Sequence, residues 1–127
     1  MTTTDEIILT IPRDRAVYPV AHLVLGGLGI RLNLTIEHLE DLQLALETVL
    51  DRVRTDLVTV TLRVKDGEIE TLVGPMGDGV RAELAAEGGE EVGLRRILDA
   101  VVDRVELEPG DRGDWLKMTK VVEREDA

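Results

Sequence analysis

Two carboxylates one helical turn apart, Glu47 and Asp51, stand in the stretch LEDLQLALETVLDRV, and a glycine-rich stretch, LVGPMGDGV (Leu72 to Val80), follows further along the chain. A carboxylate pair at this spacing on one helix face suits a divalent cation or a water held for proton transfer. The glycines suit a phosphate, because a residue without Cβ lets backbone N–H groups approach closely and tolerates positive φ. Each feature has a plainer reading. Glu40, Leu44, Glu47 and Asp51 lie along one edge of the helix and make an ordinary solvated acidic face. LVGPMGDGV contains neither G-x-x-x-x-G-K-[ST] nor G-x-G-x-x-G, so its pattern alone favours a turn. Order along the chain joins the two features: an acidic helix pair, two strands, the glycine stretch, then Gly93 opening another helix.

Composition narrows the chemistry. The absence of cysteine removes disulfides, thiol catalysis and thiolate metal sites. His22 and His38 show no H-E-x-x-H spacing, which argues against zinc; one packs on a helix and the other is solvated. Tyr18 and Trp115 are the only aromatic residues. The core must therefore be built from Val, Leu, Ile and Ala, and nucleic-acid stacking platforms are not to be expected. A formal charge of −11, from 26 acidic and 15 basic residues, repels phosphate backbones and anionic membranes and suits a basic or mixed-charge protein partner. MTTTDEI has neither the basic nor the apolar region of an export signal, and no apolar run reaches membrane-spanning length; a cytoplasmic protein is the expectation.

With 127 residues and 43% hydrophobic content, the chain reads as a single domain, 1–127, with a proper core. EIILTIP is a strand closed by Pro12. YPVAHLVLGGLGIRLNL starts a helix at Pro19, but Gly26, Gly27 and Gly29 predict that it is short or irregular. Thr35 is a plausible N-cap for the strongest helix, in which Leu39, Leu42, Leu46, Val49 and Val53 recur at helical spacing. DLVTVTLRVKDGEIETLVG reads as two strands turning at Asp66-Gly67. VRAELAAEGGEE is a mobile or partly helical connection. Leu94, Ile97, Leu98 and Val101 then share a helix face, and two strands flank Pro109-Gly110. This order predicts a two-layer α/β sandwich: a mixed, mostly antiparallel sheet with helices on one face.

These elements and motifs resemble the anti-sigma factors that are also serine-protein kinases, within the histidine-kinase-like ATPase superfamily that includes gyrase and the mismatch-repair ATPases. The resemblance covers Ile7 to Val121 and rests on element order and motif position more than on motif identity. The family's E-A-V-x-N-A is matched by Glu47-Thr48-Val49-Leu50-Asp51-Arg52, which implies Glu47 as the catalytic base and Asp51 in place of the Mg²⁺-holding asparagine. Its D-x-G-x-G is matched by the glycine stretch, with Gly77 and Gly79 kept and Gly74-Pro75 where the adenine-reading aspartate belongs. Its G-x-G-[LF] becomes Glu91-Val92-Gly93-Leu94, one glycine kept and one replaced by a carboxylate. Glu47, Asp51, Gly77, Gly79 and Gly93 are therefore the implied ATP and Mg²⁺ contacts. A missing adenine acceptor, together with Glu91 beside a triphosphate, weakens or abolishes such a site.

Three functions follow as alternatives. One is a regulatory module that binds a protein partner, a sigma factor or an anti-anti-sigma protein, without phosphorylating it. Another is an active ATP-dependent serine-protein kinase. The third is a structural or dimerisation subunit in which the acidic residues only solvate. The resemblance also implies a possible homodimer, and the charge predicts no direct contact with nucleic acid or membrane.

Overall fold

The computed structural model describes residues 5–65, 67–86, 93–110 and 112–122. Strand β1 (Asp5–Pro12) leads into helices α1 (Tyr18–Arg31) and α2 (Ile36–Leu50). Strands β2 (Leu57–Lys65) and β3 (Glu68–Gly74) form a hairpin, with Gly67 at φ +72° in its turn. A short α3 (Val80–Ala85) and α4 (Leu94–Val101) precede the closing strands β4 (Arg104–Glu108) and β5 (Trp115–Val121). Of the expected connection VRAELAAEGGEE, the first part is α3, and residues 87–92 lie outside the described residues.

The five strands make one sheet in the order β1-β2-β3-β5-β4, and every neighbouring pair is antiparallel. The expectation of a mixed sheet is thereby corrected. The helical connection after β3 carries the chain past the neighbouring position to the sheet edge, where β4 runs in the direction of β3 without pairing with it. Its hairpin partner β5 then fills the gap antiparallel to both.

Register assigns the two faces. Ile11, Val58, Val60, Ile69, Val73, Leu116 and Met118 point to the helices and join Leu25, Leu46, Leu50 and Leu98 in one buried cluster. Trp115, Lys117 and Thr119 fall on the opposite, open face, with Trp115 half-buried as the period-2 alternation of β5 predicts. Among the described residues, no helix is long and apolar enough to cross a membrane.

The Thr35 hydroxyl accepts a hydrogen bond from the His38 N–H at 3.1 Å, capping α2. Leu42, Leu46 and Val49 are buried along that helix, whereas Val53 is buried in the loop after it. In α4, Leu94, Leu98 and Val101 are buried and Ile97 is half-buried.

Helix α1 departs from its sequence: 14 residues run unbroken through three glycines. Burial of Tyr18, Ala21, Leu25 and Leu28 outweighs the weak propensity, because packing of one face supplies most of a helix's stability in a protein. Gly29 has a packing reason, since a Cβ there would lie 3.2 Å from a Leu39 methyl; Gly26 and Gly27 would meet nothing within 4 Å. Gly26→Ala should therefore stabilise the protein by about 0.5–1 kcal/mol. A rise of a few degrees in Tm by circular dichroism is the expected result, and a fall would show that this turn of α1 is not helical.

Candidate functional site

Glu40, Leu44, Glu47 and Asp51 all lie exposed on the outward edge of α2, the side away from the sheet. Asp51 is the C-cap of that helix. A carboxylate there faces the negative end of the helix dipole and needs a cation beside it. Arg15 supplies one as a two-pronged fork: its Nε and Nη2 donate to the two carboxylate oxygens at 3.2 and 3.1 Å. The hydrogen bond to Asp51, and then its charge, raise the Arg15 guanidinium above its ordinary value, with Glu47 adding a smaller pull. Arg15 sits in the β1–α1 connection, shaped by the Asp14 carboxylate accepting from the Ala16 N–H at 2.9 Å. Beside it, the buried Tyr18 hydroxyl donates to the Leu50 carbonyl at 3.1 Å, satisfying one of the last carbonyls of α2. Burial first, and Asp51 second, push that hydroxyl's pKa up. Arg13, Arg15, Tyr18, Leu50, Asp51 and Val53 line a depression of about 360 Å³.

The glycine turn joins three parts of the chain. Met76 is buried; its N–H donates to the Asp114 carbonyl at 2.9 Å and its carbonyl accepts from the Arg54 N–H at 3.1 Å. The Pro75 carbonyl accepts from the Thr55 hydroxyl at 2.8 Å. Gly77 and Gly79, at φ +79° and +101°, hold conformations that suit glycine. Arg54 covers them on one side: a Cβ on Gly77 would lie 3.1 Å from that of Arg54, and one on Gly79 would lie 3.7 Å from its Nε. Gly113 closes the other side, where its own Cβ would fall 3.1 Å from the Gly77 nitrogen. Arg52 and Arg54 both reach Glu83 of α3, at 3.2 and 3.8 Å, and Arg81 forks onto Asp114 at 2.9 and 3.1 Å.

The fold therefore brings Asp51 and the Gly77–Gly79 turn to the same end of α2, linked through Arg52 to Thr55. Glu47 stands one turn back along the helix, exposed. Gly93 is the N-cap of α4, which packs against α2; a Cβ there would meet nothing within 4 Å. Glu91 lies outside the described residues. Among the described residues, no three His, Cys, Asp or Glu side chains gather as a metal-holding group. The chain matches no family model and no curated protein.

Arg15, Arg54 and Glu83 shape this end of the molecule and were not singled out from the sequence. For Arg54 the alternation DRVRT directly after α2 was the available signal, since cations there suit the negative end of the helix dipole; nothing local pointed to Arg15 or Glu83. Chemically, Asp51 is engaged by a guanidinium and the turn's backbone serves the seam between α2, β3 and the β4–β5 hairpin.

Proposed function

We propose that the chain is an anti-sigma-like regulatory module of the histidine-kinase-like ATPase fold, which acts by holding a protein partner, a sigma factor or an anti-anti-sigma protein, and has lost its nucleotide site. The filled glycine turn carries this reading. A Mg·ATP bound as the sequence resemblance implies has to displace Arg15 from Asp51, and it finds Arg54 and Gly113 packed on either side of Gly77. It also lacks the adenine acceptor, because Pro75 occupies that place and its carbonyl is taken by Thr55. A chain at −11 suits a basic partner and speeds the encounter by electrostatic steering, so association slows as salt rises while dissociation changes less.

Millimolar Mg·ATP should leave Tm unchanged. A ligand at 100 times its Kd adds about 2.7 kcal/mol and raises Tm by several degrees. Such a rise with ATP, absent with an unrelated anion, overturns the lost-site reading in favour of the ATP-dependent serine-protein kinase with Glu47 as base. For the partner, the test is capture from native cell extract at low salt, identification by mass spectrometry, and transcription in vitro by the captured sigma factor. Inhibition supports the module; capture of neither a sigma factor nor its antagonist removes the assignment.

A further inference from the structure

On the outward face of α1, Val20, Leu23, Gly27 and Ile30 recur at three- and four-residue spacing, and Leu23 and Ile30 are 75% and 81% exposed. Ile36, at the start of α2, is likewise 72% exposed. Arg31 is the single charged residue of α1 at neutral pH, in a chain that is 32% charged. A helix that is apolar on every side is normally buried on every side, and half of this one is not. The glycines add an independent observation. Gly26 and Gly27 weaken the helix interior, yet no neighbour within the described residues needs the room they leave, since a Cβ on either meets nothing within 4 Å. They form a notch flanked by Leu23 and Ile30. Next to it runs α2, touching α1 where Leu39 meets Gly29, and its outward edge carries Glu37, Glu40, Leu44 and Glu47.

We infer that this α1–α2 face is the docking site for an amphipathic helix of a partner protein, whose apolar side seats on Leu23, Ile30 and the glycine notch while Lys or Arg on its flank meets Glu40 and Glu47. An apolar stripe read at helical spacing, beside an acidic edge, is the complement of such a helix. Charge decides the occupant. A second copy of this chain brings its own acidic α2 edge to the seam and a like net charge with it, whereas a basic helix neutralises both. The inference deepens the partner-binding reading by giving the contact its place and its chemistry.

The test uses the full chain and a fluorescein-labelled Leu/Lys peptide of helical period, with a scrambled peptide of the same composition, at physiological salt, where the Debye length is about 8 Å. The periodic peptide should bind at least about tenfold tighter than the scramble by fluorescence anisotropy, and Leu23→Gln with Ile30→Gln should erase that advantage. Both side chains are exposed, so the variant folds, which circular dichroism checks. Gly26→Ala with Gly27→Ala should raise Tm by several degrees while weakening the periodic peptide about tenfold; a purely structural role for the glycines moves Tm alone. Equal binding of the two peptides, or binding untouched by the glutamines, overturns the inference. So does a dimer in sedimentation equilibrium that the glutamines dissociate, which assigns the face to a second copy. A captured sigma factor held equally well by the glutamine variant overturns the docking site and leaves the proposed function standing. Peptide binding as described, without any sigma factor captured, supports the site and removes that function.

Discussion

Replacing Gly74 with valine should cost about 2–3 kcal/mol of stability, the upper part of the range for forcing extra carbons into a packed position. Gly74 ends β3 opposite Thr59 of β2, a position where a strand normally favours a β-branched residue. Here the Trp115 indole takes the room. A Cβ on Gly74 would lie 2.4, 2.6 and 2.8 Å from ring atoms Cδ2, Cγ and Cε3, and a Cβ on Gly110 would lie 2.7 Å from Cδ1. The ring thus lies across two glycines on the open face, covering backbone that has no side chain of its own. Trp115→Ala should relieve the clash, so valine at position 74 should cost far less in that background. Urea unfolding of the four proteins measures the coupling. Equal costs in both backgrounds would show that the indole does not lie over Gly74.

A second large effect belongs to Glu70, which is only 5% exposed although it lies on the open face of β3. One carboxylate oxygen lies 3.1 Å from Lys65 Nζ and the other 3.1 Å from Lys117 Nζ; the Lys65 contact is at ion-pair distance but lacks hydrogen-bond geometry. Burial pushes the Glu70 carboxyl up, and the two lysines together outweigh it and hold the group below its ordinary value of 4.5. The hydrogen bond to Glu70 in turn raises Lys117 above 10.5. A depressed carboxyl contributes stability above its unfolded value and loses it as pH falls through the folded one. The raised ammonium contributes below 10.5 and loses its share as pH rises through its folded value. Glu70→Gln should therefore lower stability at neutral pH by about 2 kcal/mol and flatten the fall of Tm in acid below about pH 4.5. This is less than the loss for a fully buried pair, because Lys65 is half-exposed. Thermal scans across pH would decide the matter, and an unchanged acid slope in the variant would place the acid sensitivity elsewhere.

Local signals in the sequence were enough for most elements. A hydroxyl at Thr35, leucines and valines at helical spacing after it, and the turn at Asp66-Gly67 between alternating runs act over a few residues, and α2 and the β2–β3 hairpin form where they point. The same holds for Trp115, whose side of β5 follows from alternation with Leu116 and Met118. The candidate residues Glu47, Asp51, Gly77, Gly79 and Gly93 were legible as types at spacings, but what surrounds them was not. The partner of Asp51 is 36 residues away at Arg15, and the glycine turn is filled by Arg54 from one connection and Gly113 from another. Those contacts depend on which segments the sheet brings together, and a strand's pattern specifies its faces without naming its neighbour. The insertion of β5 between β3 and β4, which makes the sheet antiparallel throughout, is of that kind. So is the length of α1: propensity at Gly26, Gly27 and Gly29 argued for a short or irregular helix, and burial of Tyr18, Ala21, Leu25 and Leu28 against the rest of the core overrode it, because packing energy is gathered from residues far apart in the chain.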